Sequence, residues 1–256
     1  MGWTFGQSLY LFELICSGIL IGSLQAFLGL GGAIIAVPLL VFLFGFPIHD
    51  ATVSSLGIVF ISSLFGILPR LRHRTVDFRV ALALAFWGIP GAMLGAFLAG
   101  NVSSQALKIS FALVLFISAF FSATHRPTGS QKQGRWYLIA GLGITVGFMS
   151  GFLGVGGGII AVPALMIFFR MPIALAAGTS LLIVLINSTS ALASHFEQAK
   201  DLDWTTPGGI GLVAAITSVL MAKVARATKP KANQFLLTIV QFSIGAAMLA
   251  AGILNR

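Results

Sequence analysis

The stretch "GLGGAIIAVPLL" occupies residues 29–40, and a near copy, "GVGGGIIAVPAL", occupies residues 154–165. Gly and Pro weaken helices, yet both stretches lie inside long apolar runs. Around them, "GSLQAFLGLGGAIIAVPLLVFLFGFPIHDATVSSL" (22–56) aligns without a gap on "GFMSGFLGVGGGIIAVPALMIFFRMPIALAAGTSL" (147–181), with about half of the positions identical. Phe27/Phe152, Leu28/Leu153, Pro38/Pro163, Pro47/Pro172 and Ser55/Ser180 all match at an offset of 125 residues. Shared apolar composition alone does not keep Gly and Pro in register, so the chain is an internal duplication.

Composition sets the class. Of 256 residues, 57% are hydrophobic and only 8% charged. A soluble domain needs a charged surface that this chain cannot supply. At about 20 residues per transmembrane helix, the length holds roughly eight to ten membrane segments. The formal charge of +9 is read as loop charge that fixes orientation, not as a nucleic-acid footprint, because no basic stretch alternates with aromatics in a soluble segment. The single cysteine, Cys16, excludes an internal disulfide and thiol metal clusters. The start "MGWTFGQSLYLFELICSGIL" lacks a basic leader and carries Glu13 in its apolar run, so it reads as a retained helix.

Apolar segments fall near 8–28, 31–46, 49–68, 79–99 and 103–122, then 136–153, 156–169, 173–195, 204–222 and 232–254. The expected organisation is an N-terminal repeat (1–123), a polar linker (124–135) and a C-terminal repeat (136–256). Positive charge gathers in the loop 70–79 (Arg70, Arg72, Arg74, Arg79), in the linker and in 223–231 (Lys223, Arg226, Lys229, Lys231), whereas 197–203 is net acidic. Five elements per half place every basic loop in the cytoplasm and both termini outside. Fusing the first two elements of each half into one broken span would strand 223–231 outside with four cations. Five crossings also invert the second half relative to the first. The expectation is therefore an all-α polytopic membrane protein of two inverted-topology repeats, with broken or re-entrant helices at the glycine motifs.

The motif is a turn followed by a helix start, whose unpaired N–H groups and partial positive charge favour anions. Irregular backbone inside a membrane persists only where protein or a water-filled cavity covers it. Packing alone explains a lone GxGG; the gapless duplication, with Pro at the same spacing, favours a protected anion site near the midplane. The candidate binding residues are Gly29, Gly31, Gly32, Pro38, Gly154, Gly156, Gly157 and Pro163, with Ser54 and Ser55 aligned on Thr179 and Ser180. Hydroxyls donate hydrogen bonds without a fixed charge that would trap an anion. Asn187 aligns with Ser62, and Gln25 and Ser150 precede the motifs by four residues, on the same helix face. Each could instead make an ordinary interhelical hydrogen bond. Glu13 is a proton-coupling candidate. His195 and Glu197 are read as a vestibule or a helix cap, Arg170 as an anchor and Lys108 as an interfacial cation. There is no HExxH, GxSxG or P-loop, so the chain reads as neither an enzyme nor an ATPase, with no cofactor or metal.

The doubled "FLGLGGAIIAVPLL" (27–40) and "FLGVGGGIIAVPAL" (152–165), with "ATVSSL" and "AAGTSL" following, resembles the TauE/SafE family of sulfite exporters. Ala33 stands where the second copy has Gly158. The resemblance implies a bacterial inner-membrane permease of seven to eight helices for sulfite, sulfoacetate or other small organosulfur anions. The expected function is secondary transport by alternating access, in the export direction, coupled to a proton or another ion. The alternatives are a passive anion channel, a carrier of another small carboxylate-type anion, or a membrane scaffold.

Overall fold

The computed structural model describes residues 5–29, 32–124, 136–200, 202–228 and 230–254. Among these, every regular element is a helix: α1 (Phe5–Leu28), α2 (Ala33–Phe42), α3 (Ile48–Arg72), α4 (Phe78–Ala99), α5 (Ser104–Thr124), α6 (Trp136–Leu153), α7 (Gly158–Phe168), α8 (Ile173–Ser194), α9 (Phe196–Lys200), α10 (Thr205–Ala227) and α11 (Pro230–Leu254). Eight of them are long and apolar enough to cross a membrane. All ten apolar segments read from the sequence are helical, and only the five-residue α9 was not foreseen. The linker 125–135 and Gly31 lie outside the described residues. Large apolar side chains such as Phe86, Phe97 and Phe120 point outward, as lipid-facing helices require.

Each short helix runs back along the helix before it. The Tyr10 ring, near the start of α1, stacks edge-on against Phe44, just past α2, with centroids 5.9 Å apart. From Tyr10 to Leu28, α1 rises about 27 Å at about 1.5 Å per residue, so α2 and the residues after it must run back over most of that length. In the second half, Gly154 lies against Thr52 near the start of α3, whereas Ile173, where α8 begins, lines a cavity with Arg70 at the far end of α3. Here α7 and residues 169–172 make the return. Each short helix starts on a left-handed glycine, Gly32 (φ 69°) and Gly157 (φ 77°), a conformation that a β-carbon disfavours.

The halves interlock. Helix α4 packs against α6 and α8, while α1 and α3 pack against α10, and α5 lies against α11. Where α4 meets α6, glycines remove the side chains between backbones. A β-carbon added at Gly147 would meet the carbonyl oxygen of Gly88, and one at Gly151 that of Ala92. Arg72, His73 and Lys223 gather round one cavity, which defines a basic end of the bundle. At the opposite end Asp203 accepts hydrogen bonds from the Thr205 hydroxyl and backbone N–H, which hold its exposed carboxyl below the usual range.

Proline inside a helix leaves the carbonyl four residues earlier without its donor. In α7, Pro163 strands the Ile159 carbonyl in this way, and the Ser118 hydroxyl of α5 donates to it at 2.7 Å. Gln241 of α11 in turn donates to Ser118 at 2.8 Å. Ser118→Ala is expected to leave a buried carbonyl unpaired and cost about 1–3 kcal/mol, read as a lower thermal transition of the detergent-solubilised protein. Gly147→Ala drives a methyl into the Gly88 backbone and is expected to cost about as much in the same measurement.

Candidate functional site

Each glycine turn is held by the other half. Ser180 of α8 donates to the Gly29 carbonyl at 2.6 Å, and Ser55 of α3 donates to the Gly154 carbonyl. These four residues match pairwise at the 125-residue offset. Gly29 lies against the Ala177 backbone and Gly154 against the Thr52 backbone, the two neighbours again being equivalent. Both glycines still close a helical bond, Gly29 to the Gln25 carbonyl at 2.9 Å and Gly154 to the Ser150 carbonyl at 3.0 Å, so Gln25 and Ser150 share a face with their motifs.

This arrangement redistributes the residues singled out in the sequence. Ser55 and Ser180 direct their hydroxyl protons at backbone carbonyls, each sharing a second carbonyl one turn back on its own helix. Thr179 accepts a hydrogen bond from the Asp77 backbone at 3.0 Å. These three position the turns and the basic loop. Gly29 and Gly154 do not meet at one central point, because each sits one turn inside the opposite helix at opposite ends of the bundle. At the centre is Gly156, where an added β-carbon would lie 2.9 Å from Val59 and 2.8 Å from Val184, themselves a matched pair. The start of α7 is thus brought to the middle. Pro38 and Pro163 are buried within α2 and α7.

A second set of residues is buried with polar atoms that have no hydrogen-bond partner among the described residues: Gln25, Ser54, Ser63, Ser150 and Asn187. Buried polar groups are paired as a rule, and each one left alone costs about 1–3 kcal/mol. The Gln25 amide nitrogen and the Ser218 hydroxyl of α10 flank Gly66, 2.7 and 3.1 Å from the position of an added β-carbon, and the Gln25 amide oxygen similarly faces Gly32 at 3.4 Å. The Asn187 amide faces Gly88 of α4, where a β-carbon would lie 2.5 Å from its oxygen. Gly66 and Gly88 therefore make room for amides. All of these groups are uncharged. They offer an anion several donors, and no group that would bind it irreversibly.

A cavity of about 180 Å³ opens at the basic end beside Gly29's neighbour Ala177, lined in part by Phe27, Thr75, Ala174 and Asn233. Arg70 reaches into this region and donates to the Ala26 carbonyl at 2.6 Å and the Ala174 carbonyl at 3.5 Å. Sequence reading counted Arg70 among the cytoplasmic loop charges and passed over Asn233, Ser218, Gly66 and Gly88. Only the positive charge of Arg70 and the helical spacing of Gly66 from Ser62 and Ser63 could have signalled them. Glu13 is half-buried on α1 one turn beyond Tyr10, away from Gln25, and Lys108 is half-buried near the start of α5. Among the described residues no cluster of His, Cys, Asp and Glu could hold a metal.

Because Ser55 and Ser180 hold turns at opposite ends, Ser55→Ala and Ser180→Ala are expected to destabilise by about 1 kcal/mol each. The double variant should show the sum, checked by thermal unfolding in detergent.

The family model described as Sulfite exporter TauE/SafE matches residues 14–248. The chain is 26% identical over 269 residues to the probable membrane transporter protein YunE of Bacillus subtilis (strain 168), covering 94% of this chain and 98% of that one. It is 26% identical over 258 residues to a probable membrane transporter protein of Methanocaldococcus jannaschii, covering 92% and 94%. A probable membrane transporter protein of Xylella fastidiosa (strain 9a5c) is 30% identical over 220 residues, covering 78% and 83%. Together with the eight apolar helices, these matches establish a multi-pass membrane protein of a transporter family rather than an enzyme; the chain belongs to the TauE/SafE sulfite exporter family.

Proposed function

We propose that the chain is a secondary transporter that carries a small sulfur oxyanion, such as sulfite or an organosulfonate, across a bacterial inner membrane by alternating access. In this reading the halves are inverted-topology repeats, the basic end faces the cytoplasm and the termini face outward. The family's description and the interlocked, offset-matched contacts support it. The observation that carries it is the set of buried, uncharged groups without a partner among the described residues: Gln25 and Ser150 at matched positions on α1 and α6, and Ser63 and Asn187 within α3 and α8. A protein retains such costly groups where a ligand completes them. The first turn of α7, starting beside Val59 and Val184, adds backbone donors. Desolvation penalises charge steeply, so a neutral site of this kind suits an anion of low charge, and the proton-motive or another ion gradient supplies the work of export. A coupled proton has Glu13 as its candidate carrier.

The test uses purified protein in liposomes, with labelled sulfite flux driven by an imposed ion gradient. Gln25→Leu and Asn187→Leu are expected to lower flux at least about tenfold, equivalent to about 1.4 kcal/mol, while thermal stability stays level or rises. Replacing an unpaired buried polar group by an apolar one removes its desolvation penalty, so loss of stability together with flux would instead mark these groups as structural. Counterflow of labelled substrate against its gradient separates the carrier from a passive channel, and a carboxylate competing as well as sulfite would reassign the substrate.

A further inference from the structure

Among the described residues, Gln25 and Asn187 are the two fully buried side chains in which both the nitrogen and the oxygen of a carboxamide lack a partner. In Asn233 and Gln241 the amide nitrogen is already engaged, by the Phe27 carbonyl at 3.5 Å and the Ser118 hydroxyl at 2.8 Å. Helices α1, α3 and α10 pack together, and so do their equivalents at the 125-residue offset, α6, α8 and α4. Gln25 belongs to the first group and Asn187 to the second. At that offset Ser150 matches Gln25, and Ser62 matches Asn187. Each group therefore carries one carboxamide and one hydroxyl at the matched pair of positions, with the helices that supply them exchanged.

A carboxamide sets a donor beside an acceptor, whichever way it is turned. An anion whose oxygens are all bare satisfies the N–H and leaves the amide oxygen buried against negative charge, without a donor. An oxyanion that keeps one O–H satisfies both atoms in a two-point pair, which also fixes its orientation. Burial favours the less charged of two ionisation states as well. Helices α6 and α8 carry no Lys or Arg, and α4 carries only Arg79, in its first turn, so little along these helices offsets a second negative charge beside Asn187. We infer that the buried carboxamides take the anion in its singly protonated form, hydrogensulfite in the case of sulfite. The anion's own O–H donates to an amide oxygen, and one of its bare oxygens accepts from the same amide's N–H.

The inference rests on the proposed transport of a sulfur oxyanion and narrows it to oxyanions that hold a proton. One proton then crosses on the substrate with each anion, besides any that Glu13 carries. The Gln25 amide meets Gly32, Gly66 and Ser218, and the Asn187 amide meets Gly88, none of which ionises. Along the chain the ionisable residues nearest these positions are Arg70, one turn past Gly66, and Lys223, beyond Ser218. Both are cationic throughout a titration from about pH 6 to about pH 9. The other ionisable residues of the packed helices lie farther along the chain: Tyr10, Glu13 and Cys16 on α1, His49, Asp50 and Arg72 on α3, Arg79 on α4, Tyr137 on α6, His195 after α8, Glu197 and Lys200 on α9, Arg226 on α10 and Lys231 on α11. A second probe with a different ionisation separates their titration from that of the ligand.

The test reads binding by thermal shift of the purified protein in detergent, with sulfite and selenite as probes. Selenite has a similar shape and parts with its second proton at a higher pH. The apparent affinity for total sulfite is expected to fall about tenfold per pH unit once the ligand's second ionisation is passed. With selenite the same fall should begin at a higher pH. Methanesulfonate, which has no O–H across this range, is expected to bind at least about tenfold more weakly than sulfite at about pH 6. The Gln25→Leu/Asn187→Leu variant should lose that preference. Sulfite binding that stays level with pH overturns the inference alone and leaves the substrate in place. A fall at the same pH for both probes belongs to a protein group and also overturns it, as does an unchanged preference in the double variant. If that variant fails to fold, the comparison of sulfite with selenite in the native chain decides. Binding of neither probe at any pH rejects the proposed substrate and the inference with it.

Discussion

A carbonyl released where a helix breaks has to find a donor before the break can exist in a lipid-immersed bundle. The rest of this structure depends on how that demand is met. Gly29 and Gly154 end α1 and α6, and their oxygens are taken by Ser180 and Ser55 from the opposite half. Pro163 releases the Ile159 oxygen, which Ser118 takes. These bonds join distant segments, so neither half can complete its own broken helices. The halves also interlock by packing, α1 and α3 with α10, and α4 with α6 and α8. Satisfying the backbone and building the interface are one task.

Once the turns are held, the remaining polar groups stand out. Gln25, Ser63, Ser150 and Asn187 have no such task among the described residues; the Gln25 amide faces Gly32 and Gly66, and the Asn187 amide faces Gly88. A carrier needs groups that can exchange partners as substrate comes and goes. Hydroxyls already committed to carbonyls cannot do this without loosening the fold, whereas unpaired amides can. In the proposed carrier, the division between holding and waiting groups follows from which partners are already occupied.

Much of the fold was legible from the duplication. The equal spacing of Gly29 and Pro38, and of Gly154 and Pro163, marked the two short helices, and the charges of 70–79 and 223–231 marked one end of the bundle. Legibility failed where a residue type serves two purposes. A serine one turn into α3 or α8 looks the same whether its hydroxyl awaits an anion or grips a carbonyl, and the sequence left both readings open for Ser55 and Ser180. Arg70 was counted as one of the loop charges of 70–79 because its charge explained enough without its carbonyl contacts. The short helices were left between re-entrant and crossing forms, since ten or eleven residues fit both.

Hydropathy, glycine spacing and loop charge are local quantities, and they determined the membrane class, the number of helices and the repeat. Lipid demands apolar runs and internally bonded backbone whatever the neighbours are, so those features can be read one segment at a time. Which oxygen receives which proton depends on approach between segments 41 to 151 residues apart, and no local pattern encodes it. Packing alone decided that α2 runs back beside α1, that the glycine turns lie at opposite ends, and that each turn is held by a serine of the other half.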